Sequence, residues 1–191
     1  MIPVEFDRPL QTERLTLRMM TVRDVDAVHS HESRDDVCRY LLYEPRTRDE
    51  VAEKIADWST RTRLAEDEDF LQLAVEERES RRLLGEIYFA VTSIEHETAE
   101  IGWVFHPDNH GHGYATEAAE TMLGFAFDTV EAHRVVAELT PENTASVRVC
   151  GRLGMREEAH FVQNMLVKGK WEDTGVYAML RSEWTEQRAH R

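Results

Sequence analysis

The sequence predicts a mixed α/β fold, a central sheet with helices on both faces, in one domain spanning residues 1–191. Three observations predict it. Segments that alternate apolar and polar residues dominate the middle of the chain, with segments of helical period interspersed among them. The length of 191 residues matches one domain of ordinary size, with enough chain to bury a core without staples. No internal repeat, Ser/Gly linker or Pro-rich spacer divides it.

The elements follow in order. Arg14 to Met19 sets Leu15, Leu17 and Met19 on one face and Arg14, Thr16 and Arg18 on the other, which predicts a strand. Thr21-Val22-Arg23-Asp24 reads as a capping box opening a short helix with Val25, Val28 and His29. Arg48 to Arg63 repeats apolar positions at Val51, Ile55, Trp58 and Thr62, an amphipathic helix. The acidic run Ala65-Glu66-Asp67-Glu68-Asp69 is a solvated loop. Phe70 to Glu77 and Leu83 to Ile94 are strands joined by the turn Glu79-Ser80-Arg81-Arg82. Ala99 to Phe105 is a strand stopped by Pro107. Gly113 to Val130 is the strongest helix, with Ala115, Ala118, Ala119, Met122, Leu123 and Ala126 on one stripe. Arg134 to Leu139 is a strand, and Asn143 to Leu153 a helix ended by Gly154. Phe161 to Val167 and Thr174 to Leu180 form a hairpin across Lys168-Gly169-Lys170-Trp171, and Arg188 to Arg191 is a frayed end.

Composition narrows the function. With 41% hydrophobic and 31% charged residues, nine glycines and five prolines, the chain is neither collagen-like nor disordered. No apolar run is long enough to span a membrane, and the start has no basic-then-apolar signal pattern. Cys38 and Cys150 are too few for a disulfide framework, which points to a reducing cytoplasm. Lys plus Arg is 23 against 37 acidic residues, a net charge of −14. That balance repels nucleic acid and anionic membranes and favours a cationic partner such as an amine.

The segment that carries chemistry runs from Glu100 to Thr116. A strand ends, a loop with Gly111 and Gly113 follows, and a long helix begins. The first amides of a helix have no internal acceptor and sit at the positive end of its dipole, so they cradle anions. Two glycines let a phosphate approach the main chain, and Thr116 offers a hydroxyl. A nucleoside-triphosphate loop needs Lys followed by Ser/Thr after the second glycine, where Tyr114-Ala115 stands. A dinucleotide fingerprint needs Gly or Ala where Thr116 stands. Both nucleotide readings fit badly. His106, His110 and His112 beside Asp108 show no metal-ligand spacing, so no metal is expected.

His110-Gly111-His112-Gly113-Tyr114-Ala115 resembles the acetyl-coenzyme A signature of the GCN5-related N-acetyltransferase (GNAT) superfamily: Gln/Arg, two residues, Gly, one residue, Gly/Ala. His110 stands where Gln or Arg is usual. Glu117-Ala118 continues the pattern of the RimJ/RimL-type branch, whose named members acetylate N-termini of ribosomal proteins. Thr12-Glu13-Arg14-Leu15-Thr16-Leu17-Arg18 resembles that branch's opening strand. Asn143-Thr144-Ala145-Ser146-Val147-Arg148, Leu153-Gly154-Met155 and Lys170-Trp171-Glu172-Asp173 resemble its later helix, that helix's end and the final hairpin turn. The likeness covers about residues 12 to 184.

The resemblance implies a mostly antiparallel sheet whose fourth and fifth strands splay apart, with acetyl-CoA in the gap. Main-chain groups of Val104 and Phe105 would pair with the pantetheine arm, a backbone N–H there would polarise the thioester, and Gly102 would mark a bulge or close approach. His110, Gly111, His112, Gly113, Tyr114, Ala115 and Thr116 would surround the pyrophosphate, and Asn143 and Ser146 would flank the arm. Glu100 is the candidate general base, with Glu86 a second. Cys150 falls seven residues after Asn143, where many members place a Tyr that reprotonates the thiolate; otherwise water does so. The acceptor would be a protein N-terminus, a polyamine-like amine or an aminoglycoside-like amine, and a homodimer is an admissible assembly. A non-catalytic acyl-CoA-binding sensor and a nucleotide-binding protein stay open as other readings.

Overall fold

The structure, a computed structural model, describes residues 1–190; the last residue of the expected frayed end, Arg191, lies outside them. Ten strands and six helices follow one another. They are β1 (Val4–Glu5), β2 (Leu10–Gln11), β3 (Leu15–Met19), α1 (Val25–Glu32), α2 (Asp35–Cys38), α3 (Arg48–Trp58), β4 (Arg63–Leu64), β5 (Phe70–Glu77), β6 (Leu83–Ser93) and β7 (Thr98–Phe105). Then come α4 (Tyr114–Gly124), β8 (Arg134–Leu139), α5 (Thr144–Leu153), β9 (Arg156–Val167), β10 (Lys170–Leu180) and α6 (Arg181–Ala189).

Eight strands make one sheet in the order β2-β3-β5-β6-β7-β8-β10-β9. Every neighbouring pair is antiparallel except β7–β8, which is parallel. Alternation along the strands splits the core between two faces. Leu71, Leu73, Ile87, Phe89 and Ile101 pack with Ala118, Ala119 and Met122 of α4 and Val149 and Leu153 of α5. On the other face Ala74 packs with Val25 and Val28 of α1 and Val51, Ile55 and Trp58 of α3. The expected mixed sheet with helices on both faces is therefore present.

Several boundaries moved. The helix expected to reach Arg63 stops at Trp58, its last inward residue, because Arg63 and Leu64 pair with Glu5 and Val4. The helix expected over 113–130 is α-helical only to Gly124 and then widens to π geometry over Phe125–Thr129. The final hairpin is longer than its apolar residues suggested and turns on two residues, Lys168 and Gly169, both at positive φ. Arg188 is helical rather than frayed: it belongs to α6 and pairs with Asp128 at 2.6 Å. Gly102 marks no bulge, because the β6–β7 register runs unbroken past it.

Candidate active site

The β7–β8 pairing lasts three rungs, Thr98↔Arg134, Ala99↔Val135 and Glu100↔Val136, and ends. β7 continues to Phe105 with no partner on that side. The register shows which main-chain groups are left open. The His106 N–H donates to the Leu84 carbonyl, so groups two and four residues back, at Val104 and Gly102, also turn toward β6. The opening therefore receives the main chain of Trp103 and Phe105, beyond Ile101, whose N–H the last rung uses. The expectation for Val104 is corrected accordingly: its backbone belongs to the β6 ladder, and its side chain lines the cavity. Gly85 is needed beneath this point, since a Cβ there would lie 2.3 Å from the Val104 carbonyl oxygen.

Beyond β7 the chain makes a tight turn over Pro107–Asn109 and reaches the mouth of α4. Gly113 is the N-cap with φ +80°, and Gly111 has φ +82° with nothing within 4 Å of an added Cβ. The first intrahelical bond runs from the Glu117 N–H to the Gly113 carbonyl, leaving the amides of Tyr114, Ala115 and Thr116 without acceptors inside the helix. Thr116 Oγ1 is buried without a partner. An open glycine, unclaimed amides and an orphaned hydroxyl fit a diphosphate.

The other loop side chains build the turn. His110 Nε2 donates to the Phe105 carbonyl at 3.1 Å, tying the loop to the strand end. His112 stacks on Tyr114, whose hydroxyl donates to Glu77 at 2.7 Å. Arg14 donates to the His112 carbonyl at 3.0 Å and to Glu117 at 2.7 Å, and Thr12 donates to the same Glu117. Thr12 and Arg14, in the link between β2 and β3, thus brace the loop. The opening-strand motif held both residues, but periodicity alone gives no sign of that role.

A cavity of about 620 Å³ opens at the splay. It gathers Glu100, Gly102, Trp103 and Val104 of β7, Glu138 of β8, Ser146 of α5 and Asn143 just ahead of that helix. Asn143 caps α5 by accepting the Ser146 N–H at 3.2 Å. The opposite wall includes Glu32, Tyr43, Arg46 and Trp58. The glycine loop is not part of this lining; it stands at the surface beyond Phe105. Glu100 is partly buried on the last rung before the strands part. Burial, reinforced by the charge of Glu138, pushes its carboxyl up to about 7.

Two expected residues lie elsewhere. Cys150 is fully buried in the core on the α5 side and does not line the cavity, and burial pushes its thiol up to about 12. Its small apolar surface packs well there, which removes it from reach of a leaving thiolate. Glu86 is 1% exposed, with one oxygen bonded to His31 Nε2 at 2.7 Å and the other accepting from Gln72 at 2.9 Å, so it is an interior anchor.

Comparison with known proteins agrees with this geometry. The profile of the acetyltransferase (GNAT) domain matches residues 14–156. The uncharacterized N-acetyltransferase YnaD of Bacillus subtilis (strain 168) is 33% identical over 175 residues, covering 92% of this chain and 98% of that one. A GNAT-family acetyltransferase structure from Bacillus anthracis superposes with a TM-score of 0.83 at 33% identity, covering 92% of this chain and 99% of that one. Spermidine N-acetyltransferase from Vibrio cholerae, solved with CoA and spermine, shares the fold at a TM-score of 0.76 and 21% identity, over 91% and 99% of the two chains. The chain belongs to the GNAT acetyltransferase family.

Proposed function

We propose that the protein transfers an acetyl group from acetyl-CoA to a primary amine at the β7–β8 splay, with Glu100 as general base. The observation that carries this reading is the position of Glu100: on the last paired rung, inside the cavity, with its carboxyl raised to about 7. A base titrating near the working pH is well matched to removing a proton from an amine.

The open main chain of Trp103 and the N–H of Phe105, whose carbonyl His110 takes, would hold the cofactor's arm as an added strand, with an N–H there toward the thioester oxygen. The amides of Tyr114, Ala115 and Thr116, beside Gly111 and Gly113, would hold its diphosphate. Acetyl-CoA supplies a thioester whose acyl carbon bonds to the amine nitrogen as the C–S bond breaks, leaving an amide and a thiol. Glu100 accepts the ammonium proton first. With Cys150 outside the cavity, water in the open cleft serves as the thiolate's proton source. Asn143 and Ser146, joined by their own hydrogen bond, flank the arm.

The acceptor is a cationic amine: an N-terminal α-amine, a polyamine-like or an aminoglycoside-like molecule. An α-amine titrates at about 8 and a lysine at about 10.4, so the former needs less help from Glu100. The Thr12–Arg14–Glu117 brace joins two motifs of the RimJ/RimL-type branch and supports placement there. Calorimetric titration with acetyl-CoA, combined with a thiol-release assay over an amine panel, tests the proposal. Thiol release that requires an amine is the expected result. Tight cofactor binding with no turnover on any amine would favour a sensor.

A further inference from the structure

The parted strands carry a second carboxylate. Glu138 stands on β8 two residues past Val136, the rung opposite Glu100. Paired residues of a parallel ladder share a face, as do residues i and i+2 of a strand. Glu138 therefore projects from the same face as Glu100, across the opening and one pleat further along. Both line the cavity, and among the described residues no hydrogen bond or ion pair holds the Glu138 side chain. Two like charges facing each other over a gap raise each other's cost of ionisation, and a cation between them relieves it.

A separate observation also points to a cationic ligand. Glu32, on the opposite wall, is 1% exposed. One of its oxygens accepts from Tyr43 and Arg46, both at 2.7 Å, while its Oε2 is buried without a partner. A buried carboxylate oxygen left unbonded is costly, and an N–H donor in the cavity offers it a partner.

We propose that Glu138 is an acceptor-binding residue: its carboxylate receives the substrate ammonium at the lip of the splay and sets it beside Glu100. There one N–H bond breaks, an O–H bond forms on Glu100, and the nitrogen lone pair is freed for attack. The proposal rests on the reading of Glu100 as the base. The other titratable groups on the cavity wall are Tyr88 of β6, Glu172 and Asp173 of β10, and Arg39, Tyr40, Tyr43, Arg46 and Lys54 around α2 and α3. Asp173 is engaged by His160 and the Gln163 N–H, and Arg46 by Glu32. The charge acting on Glu100 is that of Glu138.

Glu138 is exposed, so Glu138→Gln leaves the core intact. The experiment follows the Glu100 carboxyl by carbon-13 NMR through a pH titration and measures butylamine affinity of the CoA-bound protein. In Glu138→Gln the Glu100 midpoint should fall by about half a pH unit or more, and butylamine should bind about fivefold more weakly. Affinity for acetyl-CoA should stay within about twofold. A Glu100 midpoint or a butylamine affinity equal to the parent's overturns the proposal. Both readouts are independent of turnover. A parent protein that binds acetyl-CoA but acetylates no amine defeats the acetyltransferase reading and leaves this test standing.

Discussion

Replacing Glu100 by Gln should cost activity and add stability, and both effects belong to the pH range in which Glu100 is ionised. The Glu100 carboxyl moves from an ordinary 4.5 to about 7 because burial, with the charge of Glu138, disfavours its ionised form. Each pH unit is worth about 1.4 kcal/mol, so ionising Glu100 costs the fold roughly 3 kcal/mol at most, and about 1–3 with partial exposure taken into account. The folded state binds more protons than the unfolded state between these values, so stability falls as pH climbs through 4.5 to 7. Gln carries no such charge. Urea unfolding at about pH 8 should therefore show Glu100→Gln more stable by about 1–3 kcal/mol, with the gain from charge gone near pH 4. In the parent, about a tenth of Glu100 is ionised at pH 6 and about nine-tenths at pH 8. Thiol release per amine, corrected for the amine's own titration, should rise about tenfold over that range. In Glu100→Gln the inflection should vanish and kcat/KM should fall about 10²- to 10⁴-fold. A variant that keeps the inflection near 7 refutes the assignment of the base.

Gly113→Val places a branched residue at φ +80° and a side chain at the helix mouth. Calorimetry should show acetyl-CoA affinity lower by about 100-fold with the circular dichroism spectrum retained; unchanged affinity moves the site elsewhere. Arg14→Ala removes the guanidinium bonds to the His112 carbonyl and to Glu117, and steady-state kinetics should show KM for acetyl-CoA up about three- to tenfold with kcat little changed. An unchanged KM would make the brace dispensable. Cys150→Ala should leave kcat/KM within about twofold and lower stability by about 1 kcal/mol. A tenfold loss of kcat with cofactor affinity intact would return the thiol to the mechanism.

Much of this fold was legible because its signals are local. Leu15 and Leu17, or Ala118 and Met122, advertise one buried face whatever the rest of the chain does. What sequence reading missed depends on distant partners. Val4 and Glu5 form a strand because Leu64 and Arg63 lie beside them, and no property of either segment announces the other. Val104 and Phe105 look equivalent along the chain, and the ladder to β6 decides which of them faces the gap. The glycine loop was read from its spacing, yet His110, Tyr114 and His112 turned out to bind strand and helix neighbours. Cys150 was placed by counting from Asn143, and counting along a helix cannot tell a cavity wall from the core. Glu100 stands on the strand where the family resemblance implies a catalytic Glu, whereas Glu138 becomes visible only when β7 and β8 are set side by side.

Amide-resolved hydrogen exchange by NMR, with and without CoA, measures the unpaired main-chain amides directly. Exchange should slow on CoA addition at Trp103 and Phe105 and at Tyr114, Ala115 and Thr116, with β3 and β5 unaffected. Protection elsewhere, with those amides unchanged, would contradict this placement of the cofactor.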